Sequence, residues 1–151
     1  MQPTATANDL SLRITQEIRV MAPLEVTFDA LLEELGPGHQ VADDMAIPMK
    51  LEARPGGRWY RDLGDDNGHL WGYVQAIKRP TLLEIWGPLF MSFAAVSNLQ
   101  YRLTPIEGGT LITFVHSCMG LIPDDVKTRM GSGWTYSHEK IKRIAERAAR
   151  K

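Results

Sequence analysis

The side chains best equipped for chemistry in this 151-residue chain are aromatic. Trp59, Trp71, Tyr73, Trp86, Tyr101 and Trp134 recur from the middle of the sequence to near its end. Apolar and aromatic walls carrying a few polar groups are what small-molecule pockets are made of. Each of these rings also brings an N–H or O–H that needs a partner when buried, so Phe or Leu would be the simpler choice for a dry core. Core filling is the competing reading, because each ring can bury about 150–250 Å². His116 closes the stretch TLITFVHS on one face with Ile112 and Phe114. There an imidazole could hydrogen-bond one end of a ligand, or only the backbone. Glu84 sits between Leu83 and Ile85, on the Trp86 side of its run. Turned inward it would be a desolvated carboxyl with a raised pKa, a candidate acid or base. Turned outward it is a surface charge, and alternation alone does not choose, because a bulge flips the register.

Other reaction signatures are missing. The sequence has no G-x-S-x-G, phosphate loop, H-E-x-x-H or C-x-x-C. The glycine-rich GPGH and GSG lack the strand-to-helix setting that phosphate binding needs. His116 and Cys118 share a strand face but have no third ligand nearby in sequence, so neither a metal nor a cofactor is assigned. A net charge of -1 gives no reason to expect a nucleic-acid partner. The densest basic run, KIKRIAERAARK, reads as the solvated face of a helix. One cysteine excludes an intrachain disulfide and fits a reducing compartment. The first residues show neither the charge nor the apolar stretch of a secretory signal, and no apolar run approaches the roughly 18 residues of a membrane span. A cytoplasmic protein is expected.

These side chains need elements to position them. After a polar tail over residues 1–10, SLRITQEIRV alternates and reads as a half-buried strand. Pro23 opens a helix carrying Leu24, Phe28, Leu31, Leu32 and Leu35, which Gly36-Pro37-Gly38 stops. HQVADDMAIP reads as a second short helix or a loop, with the helix preferred. From residue 49 to 118, alternating runs are separated by Pro55-Gly56-Gly57, Gly64 to Gly68, Arg79-Pro80 and Gly108-Gly109, the pattern of an antiparallel meander. Pro123-Asp124-Asp125 then begins a long amphipathic helix with Val126, Met130, Trp134, Ile141 and Ala145 at helical spacing. Gly131 and Gly133 inside it predict a kink or the close approach of a neighbour.

This order resembles the helix-grip fold of the START-like or SRPBCC superfamily, and within it the homologues of the heat-shock protein 90 ATPase activator, in its C-terminal domain. The resemblance rests on Gly56-Gly57-Arg58-Trp59, Gly72-Tyr73-Val74 before Pro80, Leu83 to Trp86, Ser97-Asn98-Leu99 with Leu103-Thr104-Pro105, Gly108-Gly109-Thr110 to His116, and Gly133-Trp134. It implies an α+β fold in which a curved antiparallel sheet wraps a long C-terminal helix, with residues 11–151 as one domain. It also implies an apolar cavity between sheet and helix.

The expected function is therefore binding of a small apolar or aromatic molecule, without catalysis. Trp59, Trp71, Tyr73, Glu84, Trp86, Tyr101, Phe114, His116, Met130 and Trp134 are the expected lining. One alternative is a polyketide-cyclase-like or hydrolase-like enzyme with Glu84 or His116 as acid or base. Another is a chaperone accessory protein. The apolar PLFMSFAAV stretch is either an exposed interface, which a homodimer could use, or a loop tucked into the core.

Overall fold

The computed structural model describes residues 10–41 and 44–151. The chain runs as β1 (Ser11–Val20), α1 (Leu24–Leu35), β2 (Gln40–Val41), β3 (Met45–Ala46), β4 (Lys50–Leu51), β5 (Arg58–Gly64), β6 (Asn67–Lys78), β7 (Leu82–Gly87), β8 (Ala95–Ile106), β9 (Gly109–Gly120) and α2 (Asp124–Ala149). Seven strands form one antiparallel sheet in the order β1-β9-β8-β7-β6-β5-β4. Both helices lie against one face of it, and α1 also packs on α2. This is the α+β helix-grip fold. Among the described residues no helix is long and apolar enough to cross a membrane.

Alternation explains most of the sheet. Leu99, Tyr101 and Leu103 of β8 and Ile112, Phe114 and His116 of β9 all point inward and are buried. Two expectations fail between α1 and β5. The short helix over residues 39–48 is replaced by the two-residue ladder of β2 and β3, with Ala42 and Asp43 outside the described residues. The strand from Met49 shrinks to Lys50–Leu51: the Glu52 N–H still donates to the Arg58 carbonyl, but the Arg58 N–H turns to the Glu52 carboxylate and the ladder ends. The expected tail over residues 1–10 lies outside the described residues except for Leu10.

The strand β6 departs from plain alternation. Trp59 pairs with Gly72 while Tyr60 pairs with Leu70, so Trp71 is an extra residue on its strand. Such a bulge shifts the side-chain parity beyond it. Trp71 turns inward and stacks edge-on against Trp59, with ring centroids 5.1 Å apart. Tyr73, two residues on, turns to the outer face and lies against Trp86. The distortion needs glycine on both strands. A Cβ on Gly87, whose φ is 152, would stand 2.5 Å from Gly72 Cα.

Trp59 also ties the sheet to α1. Its indole N–H donates to the Leu35 carbonyl at 2.6 Å, in the last turn of α1 where no helical donor is available. In the loop over residues 88–94, Leu89 and Met91 are buried while Phe90 and Phe93 are exposed, so the loop is tucked in at alternate residues and presents aromatic rings at the others. The helix α2 is unbroken through Gly131 and Gly133, and nothing stands within 4 Å of where a Cβ on either would be. Neither glycine is there for a close approach.

Two substitutions test this account. Trp59→Phe keeps a ring but strips the Leu35 carbonyl of its donor, and should lower unfolding free energy by about 1–3 kcal/mol. An unchanged urea midpoint would show that the bond contributes nothing. Gly133→Ala should stabilise the protein by about 1 kcal/mol, and a lower midpoint would mean that α2 needs a glycine there.

Candidate functional site

Polar groups are concentrated where the sheet meets α2. Tyr101, Phe114, His116, Trp134 and His138 form one ring cluster. Phe114 lies 4.8 Å from Tyr101, 4.8 Å from Trp134 and 4.4 Å from His138 between centroids. Trp134 and His138, four residues apart on one helix face, stack with 15° between their planes. Met130 is buried one turn earlier on that face. All of these side chains are buried between sheet and helix.

Hydrogen bonding assigns a tautomer to each buried histidine. The Trp134 indole N–H can only donate, and it donates to His116 Nδ1 at 2.9 Å. The single proton of the neutral His116 ring is therefore on Nε2, which donates to Ser97 Oγ at 2.8 Å. His138 has the opposite tautomer. Gln16 Nε2 donates to the Gly131 carbonyl at 3.1 Å, which turns its Oε1 toward His138. His138 Nδ1 donates to that oxygen at 2.7 Å, and its Nε2 accepts the Tyr101 hydroxyl proton at 3.0 Å. Burial holds His116 down to about 4 and His138 down to about 3, so both rings are neutral at neutral pH. Burial, and then the charge of Glu34, push the Tyr101 phenol well above its ordinary value.

A charged group lies behind this row. Glu34 of α1 is fully buried against α2. Ser137 Oγ donates to its Oε2 at 2.5 Å, and the Lys140 ammonium is 3.5 Å from its Oε1. Lys140 also donates to the Gly38 carbonyl. Among the described residues no hydrogen bond reaches Glu34 Oε1.

The ten residues expected to line the interior divide into three groups. Tyr101, Phe114, His116, Met130 and Trp134 meet at α2. Trp59 and Trp71 also face inward but belong to a separate cluster with His39, His69 and Phe90. Tyr73, Glu84 and Trp86 are on the opposite face, which corrects their expected placement. Leu83 and Ile85 take the inward positions of β7, and the bulge carries Tyr73 outward with Trp86, its direct partner across the ladder. Glu84 there accepts a hydrogen bond from Asn98 at 3.1 Å, and Trp86 is 43% exposed. Sequence reasoning passed over Gln16, Ser97 and His138. Each had a signal: Gln16 interrupts the apolar parity of β1, Ser97 shares the parity of Leu99, and His138 falls four residues after Trp134.

Residues 22–146 match the family model of the Activator of Hsp90 ATPase homolog 1-like protein. The chain belongs to that family, within the SRPBCC or START-like superfamily. No curated protein matches it. Among solved structures it is similar to a putative uncharacterized protein from Rhizobium leguminosarum, at TM-score 0.69 and 16% identity over 91% of this chain and 95% of that one. It is similar to protein CV1439 from Chromobacterium violaceum, at TM-score 0.68 and 18% identity over 89% and 96%. It is also similar to the di-domain ARO/CYC StfQ from the steffimycin biosynthetic pathway, at TM-score 0.66 and 11% identity over 95% of this chain and 52% of that one. At these identities the likeness concerns the fold.

The buried neutral histidines carry a pH consequence. Once unfolded, each ring titrates near 6.5, well above its folded value. The unfolded chain thus takes up protons that the folded one refuses. Their stabilising effect is complete above about pH 6.5 and falls away as the pH drops toward about 4 for His116 and about 3 for His138. At pH 5 each ring should cost about 2 kcal/mol relative to neutral pH. Thermal melts at pH 7.5 and 5 should differ accordingly, with a smaller difference in His138→Gln. Equal melting temperatures would contradict neutral buried rings.

Proposed function

We propose that this member of the Activator of Hsp90 ATPase homolog 1-like family binds a small, uncharged apolar or aromatic molecule between the sheet and α2, without catalysing a reaction. The observation that carries this reading is the buried row of neutral hydrogen-bonding groups from Ser97 through His116 and Trp134, with Tyr101, His138 and Gln16 beside it. Replacing both partners of a buried hydrogen bond by apolar groups of the same shape is often neutral or stabilising. A core kept only for packing has no need of two histidines there. A site that must orient the polar end of an apolar ligand does.

Both histidines of that row are neutral at neutral pH, and the Glu34 carboxyl behind it helps to push the Tyr101 phenol up. The row itself carries no cation, and the Lys140 ammonium behind it is taken up by Glu34 and the Gly38 carbonyl, which favours an uncharged ligand. Movement of two segments would enlarge the room for it. The loop over residues 88–94 is one mobile candidate: buried Leu89 has a φ of 61, which costs a non-glycine residue of order 1 kcal/mol. The Gly131 to Gly133 turn of α2 is the other, with two residues of low helix propensity and open space around them.

Tautomers argue against catalysis. A base for the Ser97 hydroxyl needs a free ring nitrogen facing it, yet His116 Nε2 carries the proton. His138 does accept from Tyr101, but a phenol raised so far gives up no proton at neutral pH. The likeness to the ARO/CYC protein keeps a cyclase-like enzyme as the alternative, which would require these tautomers to change. A second reading, contact with a protein partner, is favoured by Trp86, Val96 and Met119 exposed on the outer face, with half-buried Tyr73 against Trp86. That face would equally serve a homodimer. A cytoplasmic setting fits a chain with a single cysteine, Cys118, which is free and buried.

Native mass spectrometry of the purified full chain, before and after denaturing extraction, tests the binding reading. A retained neutral small molecule, or a raised melting temperature with neutral aromatics but not with their carboxylates, is the expected result. A clean apo mass with no thermal shift from neutral aromatics or lipids would reject it in favour of the partner-protein reading.

A further inference from the structure

The outward side of α2 has a different chemistry. A surface cleft of about 300 Å³ is lined by Gln40 and Asp44 on one wall and by Lys140, Arg143, Ile144 and Arg147 of α2 on the other. Residues 140, 143, 144 and 147 are three, four and seven apart, so they form one stripe of the helix. The Lys140 charge is engaged by Glu34 and the Gly38 carbonyl. Asp44 accepts the Tyr136 hydroxyl proton, and its backbone N–H donates to the same oxygen at 3.1 Å.

Arg143 and Arg147 are different. Among the described residues neither side chain makes an ion pair or a hydrogen bond. Carboxylates are near in sequence, but they are not used. Glu139 precedes Arg143 by four residues, the favourable order for a helical ion pair, and the pair is not made. Glu146 is occupied by Lys142 at 2.5 Å and by the Met21 N–H at 2.9 Å. Two guanidinium groups four residues apart border one cleft, neither with an ion-pair partner among the described residues, and like charges at this spacing are unfavourable. A guanidinium fork fits the oxygens of a carboxylate or phosphate. Ile144, between the two arginines on the same wall, offers contact for a short apolar body. The volume is that of a small-molecule site.

We infer that this cleft binds a small organic oxyanion, a carboxylate or phosphate ester with a short apolar body, held by Arg143 and Arg147. Asp44 on the facing wall repels a second negative group and so favours a ligand with one anionic end. The inference is independent of the interior reading, which concerns uncharged ligands on the other side of the same helix.

The test is titration of the ¹⁵N-labelled full chain with inorganic phosphate and with phenyl phosphate at constant ionic strength, followed by NMR. Saturable shifts at Gln40 and residues 140–147 are expected, with phenyl phosphate binding about tenfold tighter than inorganic phosphate. The double variant Arg143→Gln, Arg147→Gln should lose at least tenfold in affinity while its melting temperature stays unchanged. Shifts that grow linearly, that sodium chloride reproduces at equal ionic strength, or that persist in the variant would overturn the inference.

Discussion

Polar groups buried between a sheet and a helix must find partners there or cost the fold dearly. In this protein that requirement sets how α2 lies on the sheet. The Trp134 N–H meets His116 of β9, and His138 meets both Tyr101 of β8 and Gln16 of β1. Three strands are thereby tied to two successive turns of one helix. Rotating α2, or sliding it by one residue, would break both sets of bonds at once. Apolar contacts would tolerate such a slip far better, because they are not directional. Hydrogen bonds give the interface one register, and along this row they do so with neutral groups, while the buried Glu34 carboxyl lies behind it against Ser137 and Lys140.

The bulge at Trp71 and Gly72 gives the two faces of the sheet different characters. Without it, the shared parity of Trp71 and Tyr73 would put both rings on one side. With it, Trp71 joins Trp59 inside, and Tyr73 stacks with Trp86 outside at 5.4 Å. The helix-grip interior and the exposed aromatic face thus depend on one extra residue. The glycines at 72 and 87 make room for it where any Cβ would strike backbone.

Charge is sorted along α2 in the same way. Trp134, Ser137, His138, Ile141 and Ala145 are buried, while Arg143 and Arg147 look onto the surface cleft. Lys140 stands at the boundary, with its ammonium drawn toward buried Glu34. One helix therefore separates an aromatic interior from a surface cleft that two arginines border.

Much of the architecture was legible in the residues themselves. The parity of β8 and β9, the stop at Gly36-Pro37-Gly38 and the periodicity of Met130, Trp134, Ile141 and Ala145 follow from local geometry, which recurs every two or 3.6 residues. His116 could be assigned to the inner face for the same reason. The faces of Tyr73, Glu84 and Trp86 could not be read, because they depend on the bulge and on which strand lies opposite. Nor could the partners of His116 and His138, and with them their tautomers, since Trp134 is 18 residues from one and Gln16 is 122 from the other. By itself the sequence determined which elements form and which side chains share a face of each. Only the tertiary structure decided which faces meet, because hydrogen bonds and bulges between distant strands leave no periodic trace in the chain.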